Sequence, residues 1–442
     1  MEIRGDFKTF SKYVSLNVIG MIGLAVYILA DTIFIANGIG EIGLAALNLA
    51  IPIFTLISGI GLLIGIGGAT WYTILRAQEK EQSATSVFNH ALTLASLLSL
   101  VFVVLGAIFS EELARLSGAN DETLILTQTY LQVILLFSPF FIFNNMLVAF
   151  VRNDKNPKLA MTGMFVGSLF NIVMDYILIF TFEMGMLGAA IATGSTPIVS
   201  LMILSFHFKT PLNTFRIQKI QWHLHVFLKT IALGISAFIT EISSGIVILI
   251  FNFVILRISG NIGVAAYGII ANISFVVIAI YTGMAQGIQP IVSHLFGLGH
   301  YRDMRRILQY GVIVSLLLAF TIYLFVTLGS DPLIDLFNRN QNPDLHGMAE
   351  EGLMIYFIGF FFAGFNMISI AYLSAIERAG IAFKLSIVRS FVLIVPIIIV
   401  LAQWLMMTGV WLSFVLTEAI MMGIIIWQIA REKKKDKRLR NA

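Results

Sequence analysis

The chain has 442 residues; 58% of them are hydrophobic, only 12% are charged, and the formal net charge is +4. Soluble proteins carry about 25% charged residues, so this composition excludes a soluble enzyme, a nucleic-acid-binding protein and a disordered scaffold. So many hydrophobic residues do not fit in one aqueous core, and they indicate a protein that crosses the lipid bilayer several times. The absence of cysteine also excludes disulfides, cysteine-bound metals and thiol catalysis.

The predicted elements are all membrane-spanning helices. The hydrocarbon core of a bilayer is about 30 Å thick and takes roughly 20 apolar residues in helical form. The strands of a membrane β-barrel would instead alternate apolar and polar residues over about ten positions, which these stretches do not do. Twelve continuous apolar stretches qualify, numbered here as spans 1 to 12: 13–37, 44–73, 86–109, 123–150, 159–182, 186–208, 229–256, 264–291, 308–329, 352–376, 386–407 and 410–430.

The distribution of Lys and Arg predicts the orientation of these spans. When the loops are assigned alternately to the two sides, 25 of the 28 basic residues fall on one side. Only Arg115, Arg257 and Arg339 fall on the other side. Basic loops stay in the cytoplasm, so we expect a multi-pass protein of the cell (inner) membrane with both termini cytoplasmic.

Two sequence echoes indicate an internal duplication. Segment 40–46 reads GEIGLAA, and segment 260–266 reads GNIGVAA. Six spans separate the two copies, and an even number gives both copies the same orientation in the membrane. A second echo, at a nearly equal displacement along the chain, pairs Tyr130, Ala149, Arg152 and Lys158 with Tyr356, Ala375, Arg378 and Lys384.

The duplication predicts an all-α membrane protein with twelve transmembrane helices in two parallel six-helix lobes, related by a pseudo-two-fold axis along the membrane normal. The predicted N-lobe comprises residues 1–215, a cytoplasmic linker follows at 216–228, and the C-lobe with its basic cytoplasmic tail comprises 229–442. Lobes of this kind bind cargo between them and rock alternately, which is the architecture of a transporter.

Four carboxylates lie well inside predicted spans. The sequence has no nucleotide-binding or hydrolase motif, so it predicts a secondary active transporter that is driven by an ion gradient, not an enzyme, and that needs no cofactor. An Asp at the bilayer centre costs about 2.5–3.5 kcal/mol on insertion scales, which favours a functional role. No basic residue is predicted beside them, so we expect a net anionic interior that is complementary to a cation. The four are Asp31, Asp175, Glu241 and Glu418.

The chain resembles, nearly from end to end, the bacterial twelve-helix form of the multidrug and toxic compound extrusion (MATE) family. The segments that carry this resemblance are 31–34, 152–158, 171–175, 188–193, 287–290 and 409–412. Each motif is short, and it is their order and spacing together that are typical of the family. The family often has a Pro near the start of helix 1, and this sequence has none there.

The resemblance implies a cation or proton site in the N-lobe, formed by Asp31, Asn171, Asp175 and Thr193. Asn171 and Asp175 are four residues apart and share one face of a helix. Tyr27 lies one turn before Asp31 and can hydrogen-bond to it. These oxygens suit either Na⁺ or a shared proton, so the sequence leaves H⁺ and Na⁺ open; no other metal is expected.

A second group of residues is expected to form the substrate-binding site or a second proton site, and it consists of Glu241, Gln286 and Tyr281. Glu241 matches an acidic position that several branches of the family have in helix 7. It is interpreted as the counter-ion of a bound cation, as a second proton site or as a structural contact. Glu418 is interpreted as a contact between helices.

The resulting functional hypothesis is an antiporter that exchanges H⁺ or Na⁺ for amphipathic organic cations by alternating access, acting as a monomer. The alternative from the same superfamily is a flippase or exporter of lipid-linked saccharides, which would require basic residues in the central cavity for its phosphate. A membrane protein that binds without transport is a third possibility. A major-facilitator transporter is disfavoured, since loop 76–82 lacks the Gly- and Arg-rich signature of that family.

Overall fold

The computed structural model describes residues 3–218, 222–335, 337–338 and 341–440, with side chains described as far as residue 431. This part of the chain is helical and contains no strand. We name the long helices α1 (Phe7–Gly38), α2 (Glu41–Ala77), α3 (Glu81–Ile108), α4 (Leu124–Leu136 and Ser138–Asn153), α5 (Pro157–Tyr176 and Ile177–Thr181) and α6 (Gly185–Ser205). Those of the second half are α7 (224–259), α8 (261–297), α9 (Tyr301–Leu328), α10 (Pro343–Tyr356 and Phe360–Ala375), α11 (379–405) and α12 (407–440).

These twelve helices match the predicted twelve spans. Among the described residues, nine helices are long and apolar enough to cross a membrane, and the two parts of α4, bent by 51° at residue 137, form a tenth span. Two of the nine contain a break, at Gly260 (φ 61°) and at Met406 (φ 51°), and each therefore supplies two spans. The all-helical, twelve-helix architecture is confirmed.

The duplication is visible in the backbone. Gly40, between α1 and α2, has φ 91° and ψ −167°, and its repeat Gly260 has φ 61° and ψ −153°. Glycine lacks the Cβ that makes such a conformation costly, which explains why both copies of the motif begin with it. Helices α3 and α9 have equal lengths and begin at Glu81 and Tyr301, which the same displacement along the chain relates.

The second predicted echo is wrong by one helical turn. The last part of α4 (Ser138–Asn153) and that of α10 (Phe360–Ala375) have equal lengths, so their equivalent residues follow from aligning them end to end. The structural counterpart of Arg152 is therefore Ser374 and not Arg378. The echo in the sequence pairs residues that lie one turn apart along equivalent helices.

Two large apolar cores hold the helices together. One is built from residues between 35 and 233, and the other from residues between 251 and 414 together with Ile3, Phe10, Tyr13 and Val14. The first turns of α1 therefore pack on the second core although α1 belongs to the first half. The lobe boundary at 216–228 stays a prediction, and its residues 219–221 lie outside the described residues, as do the side chains of the basic tail after residue 431.

The segment before this boundary is attached to the first half. The buried Asp154 carboxylate pairs with His207 at 2.9 Å and accepts a hydrogen bond from the Thr214 amide at 2.8 Å. Phe215 stacks on Phe88 of α3 at 4.5 Å between ring centroids. These contacts fix residues 207–215 against the ends of α3 and α4.

Glycines bring the two halves into backbone contact at one face. We call the face where α1 begins the proximal face and the opposite one the distal face. An added Cβ at Gly283 or Gly287 of α8 would lie 2.8 Å from the Cα of Val18 or Val14 in α1. At Gly297 it would lie 2.6 Å from the Cβ of Ala77, its own repeat counterpart. Contact between equivalent residues places the pseudo-two-fold axis between them.

A buried polar network, which we call the proximal seal, covers this contact. Arg152 donates from Nη1 to Asn17 Oδ1 (2.7 Å) in α1 and to Gln286 Oε1 (2.8 Å) in α8. Asn153 donates to Gln289 of α8 at 2.9 Å. Gln289 in turn donates to Thr70 of α2 at 2.8 Å. The halves are therefore joined by side-chain hydrogen bonds at the proximal face.

Candidate functional site

We call the pocket that contains Tyr27, Asp31, Asn171, Asp175 and Thr193 the N-half pocket. It is formed where α1 packs closely on α5. An added Cβ at Gly20 would lie 3.2 Å from the sulfur of Met164, and one at Gly23 would lie 3.2 Å from the ring of Phe165. Small residues at such positions let helix backbones approach. This approach brings Asp31, two turns after Gly23, to the level of Asp175.

All five residues predicted for the N-lobe site are buried. Asn171 and Asp175 are 0% exposed, and Asp31 and Thr193 are 6% and 3% exposed. The carboxyl groups of Asp31 and Asp175 lie close enough to influence each other electrostatically. Tyr27 faces both of them. The structure therefore brings the predicted residues of α1, α5 and α6 together in one pocket, whereas their coupling role stays a prediction.

Tyr130 of α4 is a further member that sequence reasoning missed. Its buried ring lies beside Asp31, Asp175 and Thr193. The only sequence signal was its appearance in the echo with Tyr356, and that echo says nothing about which way a side chain of α4 points. The polar side chains of this part of α4, at 127–130 and 132, are spread around the helix, so no single polar face predicts which of them points inward.

Most polar atoms of this pocket have no hydrogen-bond partner in the described part of the protein. Buried polar groups are normally paired, so each exception requires an explanation. An interior that leaves several of them facing one another is suited to a small ligand that they can share. The unpartnered atoms are Asp31 Oδ1, Asn171 Oδ1 and Nδ2, Asp175 Oδ1 and Oδ2, and Thr193 Oγ1.

The charge of the pocket determines what it can bind. No basic side chain pairs with Asp31 or Asp175 among the ion pairs of the described residues. Two carboxylates in contact repel each other, and one positive charge between them relieves the repulsion. A proton or a Na⁺ ion held by the surrounding oxygens can supply it. A site with three or more His, Cys, Asp or Glu is not found in the described chain.

Glu241 lies between the two halves, close enough to Tyr27 of this pocket to interact with it electrostatically. It is half-buried on α7 and faces Ser58 and Gly59 of α2. The predicted grouping with Gln286 and Tyr281 is not what the structure shows. Gln286 accepts the hydrogen bond from Arg152 in the proximal seal. Tyr281 is 0% exposed and donates to the Phe360 carbonyl at 3.2 Å inside the second core.

The expectation that no base neutralises the buried acids is wrong for Glu418. Arg389 Nε donates to both carboxylate oxygens of Glu418, at 2.8 and 3.0 Å. Asn366 Nδ2 donates to the same carboxylate at 2.7 Å. Arg389 falls inside the predicted span 386–407 but is counted there with the basic residues of the cytoplasmic side; it lies ten residues into α11, about 15 Å from the helix start at 1.5 Å per residue. Glu418 thus joins α10, α11 and α12.

Comparison with known proteins identifies the family. The family model described as MatE matches residues 18–177 and 236–400. The "Multidrug export protein MepA" of Staphylococcus saprophyticus is 26% identical over 380 residues, which cover 85% of this chain and 83% of that protein. The protein of the same name from Staphylococcus aureus is 26% identical over 385 residues, with the same coverage of both chains.

Solved structures share the fold. A multidrug resistance MATE family transporter of the MOP superfamily, in an outward-facing conformation, has a TM-score of 0.91 at 23% identity and covers 97% of this chain and 96% of its own. A MOP superfamily transporter from Pyrococcus furiosus, described as having a binding pocket of reversed polarity, has a TM-score of 0.89 at 22% identity, with coverages of 96% and 95%. Since the family model spans most of the sequence and the fold agrees throughout, this chain belongs to the MatE family of multidrug and toxic compound extrusion transporters.

Proposed function

We propose that this protein exports amphipathic organic cations from the bacterial cytoplasm in exchange for H⁺ or Na⁺. The observation that carries the proposal is the N-half pocket, where two neighbouring carboxylates and further unpartnered polar atoms face one another without a basic ion-pair partner among the described residues. The names of the MepA relatives support multidrug export. Both termini are placed in the cytoplasm in this proposal, because the basic loops lie at the proximal face.

In the exchange cycle, the two carboxylates hold one positive charge in one orientation of the halves and release it in the other. Asp31 belongs to α1, whose first turns pack on the second core, while Asp175 belongs to α5 of the first half. A change in the separation of these carboxylates is therefore linked mechanically to the contact between the halves. A cation can drive the cycle only if it binds the two orientations with different affinity.

Glu241 is the proposed counter-ion of the exported cation. It lies on the surface between α2 and α7, where cargo held between the halves would contact it. A lipid-linked saccharide would instead need a basic group for its phosphate. The buried Arg152 and the largely buried Arg389 are engaged elsewhere, Arg389 with Glu418 and Arg152 in the proximal seal. This charge pattern favours an organic cation as cargo.

Transport in proteoliposomes tests the proposal. Efflux of ethidium is measured under an imposed pH gradient and then under an imposed Na⁺ gradient, and we expect at least one of them to drive it. Asp31→Asn and Asp175→Asn should each abolish gradient-driven exchange, because one neutral side chain removes the repulsion that a cation relieves. Asp121→Asn, at an exposed loop position, is the matched control.

Full gradient-driven efflux by Asp31→Asn would refute the coupling role of the pocket. Absence of efflux by the unaltered protein under either gradient, together with movement of a labelled lipid-linked saccharide, would favour the flippase. Binding of ethidium without any flux would favour a protein that binds without transport. Light scattering of the same preparation checks the expected monomer.

A further inference from the structure

The Arg389–Glu418 pair occupies the part of the second half that corresponds to the N-half pocket. Helices α10, α11 and α12 are the repeat counterparts of α4, α5 and α6, and these supply Tyr130, Asn171, Asp175 and Thr193. Asn366 lies on α10, Arg389 on α11 and Glu418 on α12. The three helices that surround the pocket in one half therefore surround the ion pair in the other.

The correspondence extends to the level along the helices. When α5 and α11 are aligned at their first residues, Arg389 corresponds to Gly167, one turn from Asn171 toward the proximal face. When the breaks before α6 and α12, at residues 183 and 406, are aligned, Glu418 corresponds to Ser195, just beyond Thr193 in the same direction. The ion pair is thus the pocket's counterpart, shifted by up to one turn.

A tyrosine shows the same shift. Tyr356 faces Glu418 and Arg389 in the second half, as Tyr130 faces Asp31 and Thr193 in the first. In the end-to-end alignment of α4 with α10, Tyr356 lies one turn nearer the proximal face than the counterpart of Tyr130.

Both α5 and α11 also contain a π-helical turn, Ile177–Thr181 just after Asp175 and Val388–Leu393 around Arg389. Such turns are frequent at functional sites.

The two clusters differ in what satisfies their carboxylates. In the first half, both oxygens of Asp175 lack a partner. In the second half, both oxygens of Glu418 accept hydrogen bonds from Arg389, and Asn366 adds a third. A guanidinium keeps its charge at any physiological pH, and its covalent tether prevents it from leaving.

We propose that the guanidinium of Arg389 is a built-in cation, which fills in the second half the place that an exchangeable cation takes in the N-half pocket. The protein then has one exchangeable cation site, and coupling passes through the first half alone. This inference rests on the proposed function, since it presumes that the N-half pocket exchanges a cation.

The test is to remove the built-in cation and count the exchangeable ones. The initial rate of ethidium exchange is measured in proteoliposomes against the concentration of the driving cation. The Hill coefficient cannot exceed the number of sites, so we expect about 1 for the unaltered protein. Arg389→Gln frees Glu418 for a second cation, so that a coefficient above 1 becomes possible for this variant. Arg389→Lys retains the charge and should stay near 1.

A double variant keeps the inference falsifiable if Arg389→Gln does not fold. Arg389→Gln with Glu418→Gln removes both charges, and it should retain exchange with one cation. Loss of exchange in this variant, with an unchanged thermal unfolding transition, would show that the pair itself takes part in coupling and overturn the inference. A folded Arg389→Gln protein that takes up no more cations than the double variant would overturn it too, because the pair would then be only a contact between helices.

Failure of the proposed function can be distinguished from failure of this inference. Proton uptake and ²²Na⁺ binding are measured on the purified full chain, without transport. Arg389→Gln should take up one cation more than the double variant, even in an Asp31→Asn background. If Asp31→Asn changes neither exchange nor binding, the proposed coupling site fails. The difference in cation uptake between Arg389→Gln and the double variant still tests the built-in cation.

Discussion

At the scale of single residues, Tyr130 is a neutral group in contact with charged ones. Its hydroxyl can hydrogen-bond to Thr193 or to a carboxylate of the pocket, whereas its ring packs in the first core. A hydrogen bond contributes about 0.5–1.5 kcal/mol. Tyr130→Phe should therefore weaken the apparent affinity for the driving cation by roughly 2- to 12-fold, with little change in stability.

The measurement is the concentration of driving cation that gives half-maximal ethidium exchange. Tyr323→Phe removes a hydroxyl from the half-buried ring on α9 and serves as the matched control. An equal effect of both variants would contradict a specific role of Tyr130.

The Arg389–Glu418 pair leads to a stability prediction. Removing one partner of a buried ion pair leaves an uncompensated charge and costs about 3–5 kcal/mol, whereas apolar replacement of both partners is often nearly neutral. Glu418 is 3% exposed. We expect Glu418→Gln to lower the thermal unfolding temperature clearly and Arg389→Met with Glu418→Met to restore most of it. A single variant as stable as the unaltered protein would contradict a buried charge at this position.

At the scale of helices, close approach depends on single glycines. An added Cβ at Gly234 of α7 would collide with the Leu63 carbonyl of α2, which is a backbone atom and cannot turn aside. Gly234→Ala should therefore push α7 away from α2 and loosen the proximal contact. Gly245→Ala on the same helix, where an added Cβ meets nothing within 4 Å, is the matched control.

The readout uses the absence of cysteine from the sequence. Thr70→Cys places a single thiol within the proximal seal, at the position that accepts from Gln289, and its labelling by a membrane-impermeant maleimide from the proximal side is timed. Gly234→Ala should increase the labelling rate several-fold, and Gly245→Ala should not. Equal rates in both would contradict the contact between α2 and α7.

Helices could be predicted from the sequence because length and hydropathy determine what spans a bilayer. The repeat motif located the break at Gly260, and the helix spacing of Asn171 and Asp175 placed both on one face. Pairing between helices could not be predicted in the same way. Arg389 lies inside a predicted span, but apolar residues alone do not predict that its guanidinium pairs with Glu418 of the next helix. Where every face of a helix is apolar, its sequence does not show which neighbour it meets.

At the scale of the whole molecule, the proximal seal fixes one of the two orientations that alternating access requires. Arg152 is 1% exposed, and its hydrogen bonds join α4 to α1 and to α8 across the halves. Neutral acceptors compensate a buried guanidinium only in part. The seal is therefore stable enough to close the proximal face but has no strong ion pair to break when the halves separate there.

Distances between repeat-related positions can measure this separation. Gln82 and Arg302 are exposed equivalents at the proximal ends of α3 and α9, and Glu111 and Asp331 are exposed equivalents at the distal face. Spin labels on each pair report the two faces independently. If the halves rock, a condition that lengthens the proximal distance must shorten the distal one.

We expect Arg152→Gln to shift the population toward a longer proximal and a shorter distal distance, because it removes the donor that bridges Asn17 and Gln286. Arg76→Gln, which breaks a more exposed ion pair with Glu81 at the same face, is the control and should leave both distances unchanged. In the unaltered protein, the driving cation and ethidium should move the distances in opposite directions, since exchange requires them to favour opposite orientations. Distances that lengthen at both faces together would show general loosening and contradict a rocking exchange.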